Sequence, residues 1–292
     1  VDKVLKSRIT YCLVMQQEEN VARAVKEVVR TMMDRVMDKV LYTDPFVPEK
    51  HRANKPMYAA LVPDEIFKGS HFERRFVTPF GSVWEKLAVA VATEYHGHCS
   101  QGHTIEGTVG DISLRRIQEV LNRLEHKVGG KGQARPDWES ELGYILQGGG
   151  KPIPVSVTSD IFIDSALTGQ KYAFELKAPL PNSDQTKVSK EKMFKLMAMK
   201  EHPVDHAFYA LVYNPYGRRS EYGWVFPQRW FNMQADESVL IGDEFWDLIG
   251  GVNTYQRFIR EINALGREYK ERIYREFLGI EPPIGYDNDT LR

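Results

Sequence analysis

The stretch "SDIFIDSALTGQKYAFELKAP", residues 159–179, determines the expected core of the fold. Its two apolar runs flank the turn-like segment "SALTGQK", which predicts two neighbouring strands joined as a hairpin. Glu175 and Lys177 lie two residues apart on the second strand, so their side chains share one face. Asp160 stands at the head of the first strand and can reach that same face. The hairpin is therefore expected to gather two carboxylates and an ammonium group.

The pattern around this hairpin predicts an α/β core with helical additions. Prolines and mixed charge predict irregular structure over 43–81. The predicted strands are 155–163, 171–177, "DHAFYALVYN" (205–214) and "GWVFP" (223–227). The predicted helices are 17–41, 81–97, the stretch from 111 to the Gly129-Gly130 pair, 137–146, 186–201 and the region from 243 onward.

No clear boundary divides the chain, so we predict a single domain over 1–292. It comprises a mainly helical region 1–80, a core 81–230 and a C-terminal helical region 231–292.

Composition is that of an ordinary soluble protein of 292 residues, with 42% hydrophobic residues and a net charge of −1. No apolar run reaches the roughly 18 residues of a membrane span, and the N-terminus lacks the features of a signal peptide. Two cysteines provide no disulfide framework. We therefore expect a cytoplasmic protein without a membrane partner.

The grouped charges fit metal-assisted hydrolysis of a phosphodiester. Asp160 and Glu175, with the backbone carbonyl of Leu176, offer the hard oxygen ligands that Mg²⁺ prefers. Lys177 beside the metal is suited to position a water molecule and to stabilise the transition state. The alternative for Glu175 and Lys177 is a solvated ion pair on a strand. Asp160 is the preferred candidate for the carboxylate upstream of Glu175, which we call the first acid, and Asp164 is the second candidate.

Asp137 is the third candidate for the first acid. The "PD" at 136–137 instead predicts the start of a helix, with Asp137 as its cap.

Asp160, fourteen intervening residues and then Glu-x-Lys resemble the PD-(D/E)xK nuclease motif, with "SD" at 159–160 in place of "PD". The resemblance implies a mixed central sheet flanked by helices. It also implies a catalytic glutamate on a helix before the core, a placement that Glu85 matches. The alternative for Glu85 is a capping box with Ser82.

Three downstream blocks, "FELKAPLPN", "YALVYNPYGRRSEYGWVFPQRWFN" and "IGDEFWDLIGGVNTYQRFIREINALG", resemble the TdeIII-type restriction endonucleases over roughly residues 80–275. The resemblance implies a type II restriction endonuclease that uses Mg²⁺ to cut double-stranded DNA at a short palindrome, possibly GGNCC-like. A palindromic target implies a homodimer. A cognate methyltransferase would share the target site, and no stable complex with it is expected.

Six basic residues are candidates for DNA contacts. Arginine reads guanine best, and lysines along a helix suit phosphates. The candidates for bases are Arg218, Arg219 and Arg135, and those for phosphates are Lys187, Lys190 and Lys195. For each arginine the alternative is a solvated surface charge or a phosphate contact, and for the lysines it is a solvated helix face.

The sequence also allows three alternative interpretations. The segment "HGHCSQGH" places His96, His98, Cys99 and His103 within eight residues, which could form a zinc site. A repair or recombination nuclease of the same fold is the second rival. A non-catalytic DNA-binding module is the third.

Overall fold

A computed structural model describes residues 2–127 and 132–290, with side chains described at residue 16 and from residue 18 onward. The strands are β1 (Gly97–Gly110), β2 (Pro152–Ser165), β3 (Lys171–Lys177), β4 (His206–Leu211) and β5 (Val239–Ile241). The helices are α1 (Asp2–Asp38), α2 (Pro48–Asn54), α3 (Pro56–Ala59), α4 (Asp64–His96), α5 (Asp111–Glu125), α6 (Trp138–Leu146), α7 (Ser183–Met197), α8 (Val225–Gln228), α9 (Asp243–Gly250) and α10 (Thr254–Arg272). Shorter helical turns are Lys39–Thr43, Arg219–Glu221 and Ile273–Leu278. Among these helices, none combines the length and the apolar character that a membrane span needs.

The chain divides into two compact units. The first comprises Val1–Ala90 and Gln256–Arg292, and the second comprises Val91–Tyr255. Whether the two act as one endonuclease domain stays a prediction.

The first unit is helical, and its α1 and α10 pack together. Arg30 pairs with Glu268 at 2.7 Å, and the Tyr269 hydroxyl donates to Asp34 at 2.6 Å. The buried apolar side chains of α1 recur at helical spacing and are Val21, Val25, Val29, Met32, Met33, Val36 and Met37. The helix predicted over 17–41 is thus confirmed, and it belongs to a longer one.

The second unit is built on a mixed five-stranded sheet in the order β1-β2-β3-β4-β5. β1, β2 and β3 pair antiparallel, whereas β3, β4 and β5 pair parallel. The parallel crossover from β3 to β4 runs through α7, as such a connection requires. The predicted α/β class with a mixed sheet flanked by helices is confirmed.

Both faces of β3 are covered. Phe174 stacks on Phe208 and meets Phe245 of α9 edge-on, which closes one face. The other face carries Glu175 and lies under α7, within a core cluster that includes Phe194. A charged side chain on this second face is therefore enclosed, and it needs partners to be tolerated.

Several local predictions were wrong. The region 43–81, expected to be irregular, contains α2 and α3, and α4 already begins within it; Pro48 and Pro56 stand at first helical positions, where a missing N–H costs nothing. "GWVFP" forms the end of a loop and the short α8, not a strand. The strands β1 and β5 were not anticipated.

Candidate active site

The predicted cluster of Asp160, Glu175 and Lys177 forms in the second unit. The Lys177 Nζ donates to Asp160 Oδ2 at 2.8 Å and lies 3.5 Å from Glu175 Oε2. It also donates to the backbone carbonyl of Leu176 at 3.1 Å. The side chains of Lys177 and Asp160 retain about a fifth of their exposure, 19% and 23%, so the cluster opens toward solvent on their side.

The local breakdown of strand pairing makes room for this cluster. β1 and β2 pair from end to end except at Gly102 and Asp160, but the pairing of β2 with β3 ends at Ile161 and Phe174. Beyond that pair, the Asp160 side chain takes over and accepts the backbone N–H of Leu176 at 2.8 Å. A side-chain carboxylate thus replaces a ladder hydrogen bond at the point where the strands diverge.

Glu175 is the most deeply enclosed member, with 2% exposure. Its Oε2 accepts from Ser189 Oγ at 3.1 Å, and its Oε1 accepts from Lys192 Nζ at 2.8 Å. Both partners lie on α7, three residues apart and so on one helix face. Neither residue was predicted as part of the site from the sequence, although their spacing of three residues, which places both on one face of α7, was the available signal.

Burial and mutual charge shift the pKa values in this cluster. Burial raises the pKa of Glu175, and the nearby Asp160 carboxylate raises it further, against the lowering effect of Lys177 and Lys192. Burial alone would lower the pKa of Lys177, but the carboxylates of Asp160 and Glu175 outweigh it and raise that pKa. Lys177 is therefore an ammonium ion at neutral pH. Shifts that combine burial with specific charged partners are typical of functional sites.

The arrangement fits a hard divalent cation. The three oxygens predicted as metal ligands, from Asp160, Glu175 and the Leu176 carbonyl, all converge on one positive charge, the Lys177 ammonium. This donor set of two carboxylates and a carbonyl is what Mg²⁺ takes when it keeps several waters. Within residues 2–127 and 132–290, no group of three or more His, Cys, Asp or Glu side chains is assembled for metal binding. Any cation here would therefore depend on the carbonyl as well as the two acids.

The two rival first acids lie elsewhere. Asp164 shares a strand face with Asp160 but pairs across to Lys171 at the other end of the hairpin, about 13 Å along the strand at 3.3 Å per residue. Asp137 caps α6 by accepting the Ser140 N–H at 3.0 Å, as expected. The geometry therefore favours Asp160 as the first acid.

Glu85 lies in the first unit, whereas the cluster lies in the second. The capping-box alternative for Glu85 is wrong, because α4 begins at Asp64 and the Ser82 hydroxyl donates to the Pro79 carbonyl inside that helix. The catalytic role of Glu85 stays a prediction.

Lys190 does not have the exposed position that a phosphate contact requires. Its side chain is fully buried, 2.5 Å from Glu141 Oε2, and it donates to the Trp230 carbonyl. Burial lowers the pKa of Lys190, while Glu141 opposes that shift. Because its ammonium is enclosed by protein, Lys190 is withdrawn from the predicted DNA contacts.

Arg219 is likewise occupied within the protein. Its guanidinium contacts Glu244 at 3.1 Å and donates to the carbonyls of Met233 at 2.9 Å and Asp236 at 2.6 Å. These bonds tie the Arg219–Glu221 turn to the segment before β5. A base would have to displace them, so Arg219 is also withdrawn as a base-reading candidate.

The other four basic candidates remain accessible. Arg135 and Arg218 are exposed. Lys187 pairs with Glu125 at 2.5 Å, and Lys195 pairs with Glu191 at 2.7 Å, each partly exposed. Exposed ion pairs of this kind are worth little and exchange readily for other anions.

The histidine-rich segment forms no metal site among the described residues. His96 ends α4, where its ring nitrogens contact Ser165 Oγ at 2.7 Å and the Leu248 carbonyl at 3.1 Å. His98 and Cys99 belong to β1, and His103 stacks on Phe162 with ring centres 4.3 Å apart. These contacts are structural, so the zinc alternative finds no support.

Comparisons with known proteins show which proteins the chain is similar to. Residues 21–266 match the model of a family described as type II restriction endonuclease, HinfI. The type II restriction enzyme HgiCII of Herpetosiphon aurantiacus is 26% identical over 227 residues, covering 77% of this chain and 82% of that protein. The enzymes HgiBI and HgiEI of the same organism are each 26% identical over 235 residues, covering 77% of this chain and 81% of theirs.

Proposed function

Because the chain belongs to the HinfI family of type II restriction endonucleases, and is thus a site-specific deoxyribonuclease acting on double-stranded DNA, we propose that it cuts with Mg²⁺ at the Asp160–Glu175–Lys177 cluster. The observation that carries this proposal is the convergence of three oxygens on the Lys177 ammonium. The PD-(D/E)xK assignment and the TdeIII-type resemblance remain part of the proposal.

Each residue has a distinct role in the proposed reaction. Asp160, Glu175 and the Leu176 carbonyl would hold the cation. When bound, Mg²⁺ supplies positive charge that offsets the charge on the phosphate and acidifies water. Lys177 stays protonated, because its pKa is raised, and it stabilises the additional negative charge as the water oxygen bonds to phosphorus and the P–O ester bond breaks.

The accessible basic residues supply the proposed DNA contacts. Arg135 lines an open depression of about 240 Å³ together with Gln228, Asn232 and Gln234. Arginine and side-chain amides are the groups that read base edges in the major groove. Arg135 and Arg218 are therefore the proposed base contacts, and Lys187 and Lys195 the proposed phosphate contacts.

The proposed target is a short palindrome, possibly GGNCC-like, cut by a homodimer. A two-fold target is matched by a two-fold protein in which each subunit cuts one strand. A cognate methyltransferase would modify the same site without forming a stable complex with this chain.

One experiment tests the function as a whole. The purified protein is incubated with plasmid DNA in Mg²⁺ or EDTA, and the fragment ends are sequenced. Discrete fragments with one common end sequence, absent in EDTA, are expected. A smear would instead indicate a nuclease without sequence specificity, such as a repair enzyme, and binding without cutting would indicate a DNA-binding module.

A matched substrate tests the link to modification. Plasmid methylated within the sequenced recognition site is expected to resist cutting, whereas plasmid methylated elsewhere is cut normally. Equal cutting of both would contradict a role in restriction and modification.

A further inference from the structure

A second lysine contacts the enclosed carboxylate of the site. Lys192, on α7, donates to Glu175 Oε1 at 2.8 Å and to the Thr158 carbonyl of β2 at 2.8 Å. Its side chain is 30% exposed, while Glu175 is 2% exposed. The long aliphatic stem of Lys192 thus brings its charge from the helix to both strands of the hairpin.

This contact gives the two carboxylate oxygens of Glu175 different lysine partners. Oε1 is taken by Lys192, so Oε2 is the oxygen left to face Lys177 Nζ, 3.5 Å away. Asp160 Oδ2 and the Leu176 carbonyl contact that same nitrogen. Lys192 therefore helps to fix the rotation of the Glu175 carboxylate. Its Oε2, which also accepts from Ser189 Oγ, then points where the other two oxygens converge.

Lys192 also joins the strands where their own pairing has ended. The β2–β3 ladder stops at Ile161 and Phe174, and Thr158 lies three residues beyond that point on β2. By holding the Thr158 carbonyl and Glu175 at once, the ammonium links β2 to β3 across the gap. It thereby limits how far Asp160 and Glu175 can separate.

We propose that Lys192 is a positioning residue of the cation site, which orients Glu175 and sets the spacing of the two ligand-bearing strands. This inference rests on the proposed function of the Asp160–Glu175 pair. Partners that orient metal ligands typically contribute a factor of about 10 to 100 in metal affinity. Removal of Lys192 is therefore expected to weaken cation binding by that factor.

The sign of the effect separates positioning from simple charge. A lysine close to a cation site repels the cation, so its loss through charge alone would strengthen binding. Loss of positioning would weaken it. Lys171→Met serves as the matched control, because Lys171 is exposed at the far end of β3 and its loss changes the net charge equally.

The test measures Mn²⁺ binding to the full chain by electron paramagnetic resonance, with thermal unfolding as a check on the fold. Lys192→Met is expected to weaken Mn²⁺ binding by about 10- to 100-fold, while Lys171→Met stays at the wild-type value. Lys192→Arg, which keeps a charged donor, is expected to restore most of the affinity.

A second variant guards against loss of folding. Lys192→Gln keeps a polar head group but is too short to span both acceptors, so it is also expected to weaken binding. In cleavage assays at saturating DNA, both variants are expected to lower kcat while leaving KM for DNA near the wild-type value. Wild-type or tighter Mn²⁺ binding in a folded Lys192→Met or Lys192→Gln protein would overturn the inference.

The wild-type protein distinguishes a failure of this inference from a failure of the proposed function. If the wild-type protein neither binds Mn²⁺ nor cuts DNA, the proposed function fails, and the inference fails with it. If the wild-type protein does both and the Lys192 variants match it, only the positioning role is wrong.

Discussion

Replacement of Lys190 by methionine is expected to destabilise the second unit strongly. The Lys190 side chain is fully buried and lies 2.5 Å from Glu141 Oε2, whose side chain is 12% exposed. Burial raises the pKa of Glu141 against the lowering effect of Lys190, so the carboxylate depends on that lysine. Removal of one partner of a buried ion pair costs about 3–5 kcal/mol, because the other charge is left without compensation.

This cost translates into a measurable shift in melting temperature. For a unit of this size, each kcal/mol corresponds to roughly 2–4 °C, so Lys190→Met is expected to lower Tm by roughly 6–20 °C. The double variant Lys190→Met/Glu141→Leu is expected to recover most of that loss, because no charge is stranded. About 1 kcal/mol should persist, since the Trp230 carbonyl loses the hydrogen bond from Lys190.

The assay is thermal unfolding followed by circular dichroism, with Lys195→Met as the matched control. Lys195 lies on the same helix and pairs with Glu191 in a partly exposed i,i+4 bridge, worth about 0.3–0.5 kcal/mol. An unchanged Tm for Lys190→Met, accompanied by weaker DNA binding, would refute this reasoning. It would show that the ammonium faces DNA and not Glu141.

Three further predictions concern the site and its surroundings. Asp160→Asn is expected to slow DNA cleavage by about 10²–10³-fold, whereas Asp164→Asn should cut at nearly the wild-type rate; the reverse order in single-turnover assays would move the first acid to Asp164. Arg219→Ala is expected to destabilise the protein by about 1.5–3 kcal/mol, because its bonds to Glu244 and two carbonyls are lost. Arg218→Ala is expected to change the stability by no more than about 0.5 kcal/mol. Urea unfolding measures both variants, and equal effects would contradict the structural role of Arg219. Burial, and then the Asp160 carboxylate, raise the pKa of Glu175 above its ordinary value of 4.5. Because a cation binds only the ionised carboxylate, Mn²⁺ affinity should fall as the pH is lowered and should already be reduced above pH 4.5. Titrations that show full Mn²⁺ affinity down to pH 4.5 would exclude the raised pKa.

The two strands of the proposed site were predictable because their signals are local. The alternation around Glu175, the turn before it and the prolines after it all lie within about twenty residues of one another. The cap of α6 by Asp137 was predictable for the same reason, since a cap and its helix are neighbours in the chain. The strand β1 was missed because its glycines and histidines hide the alternation, although it pairs with β2 from Gly97 to Gly110 except at Gly102.

The misassigned basic residues have partners that are distant in the chain. Lys190 and Lys192 stand two residues apart on one helix and look alike in the sequence. The first is buried against Glu141, and the second reaches Glu175. Likewise, Arg219 is held by Glu244, 25 residues away. Only the tertiary fold distinguishes a structural cation from one that serves the site or the DNA.

The single-turnover cleavage rate of Glu175→Gln tests the central claim most directly. The substrate is DNA that carries the recognition site, with Mg²⁺ present and the fold verified by thermal unfolding. The glutamine keeps the size of the side chain but removes the charge that holds the cation, so the rate is expected to fall by about 10³-fold or more. Cleavage at the wild-type rate by a folded Glu175→Gln protein would show that the Asp160–Glu175–Lys177 cluster is not where this enzyme cuts DNA.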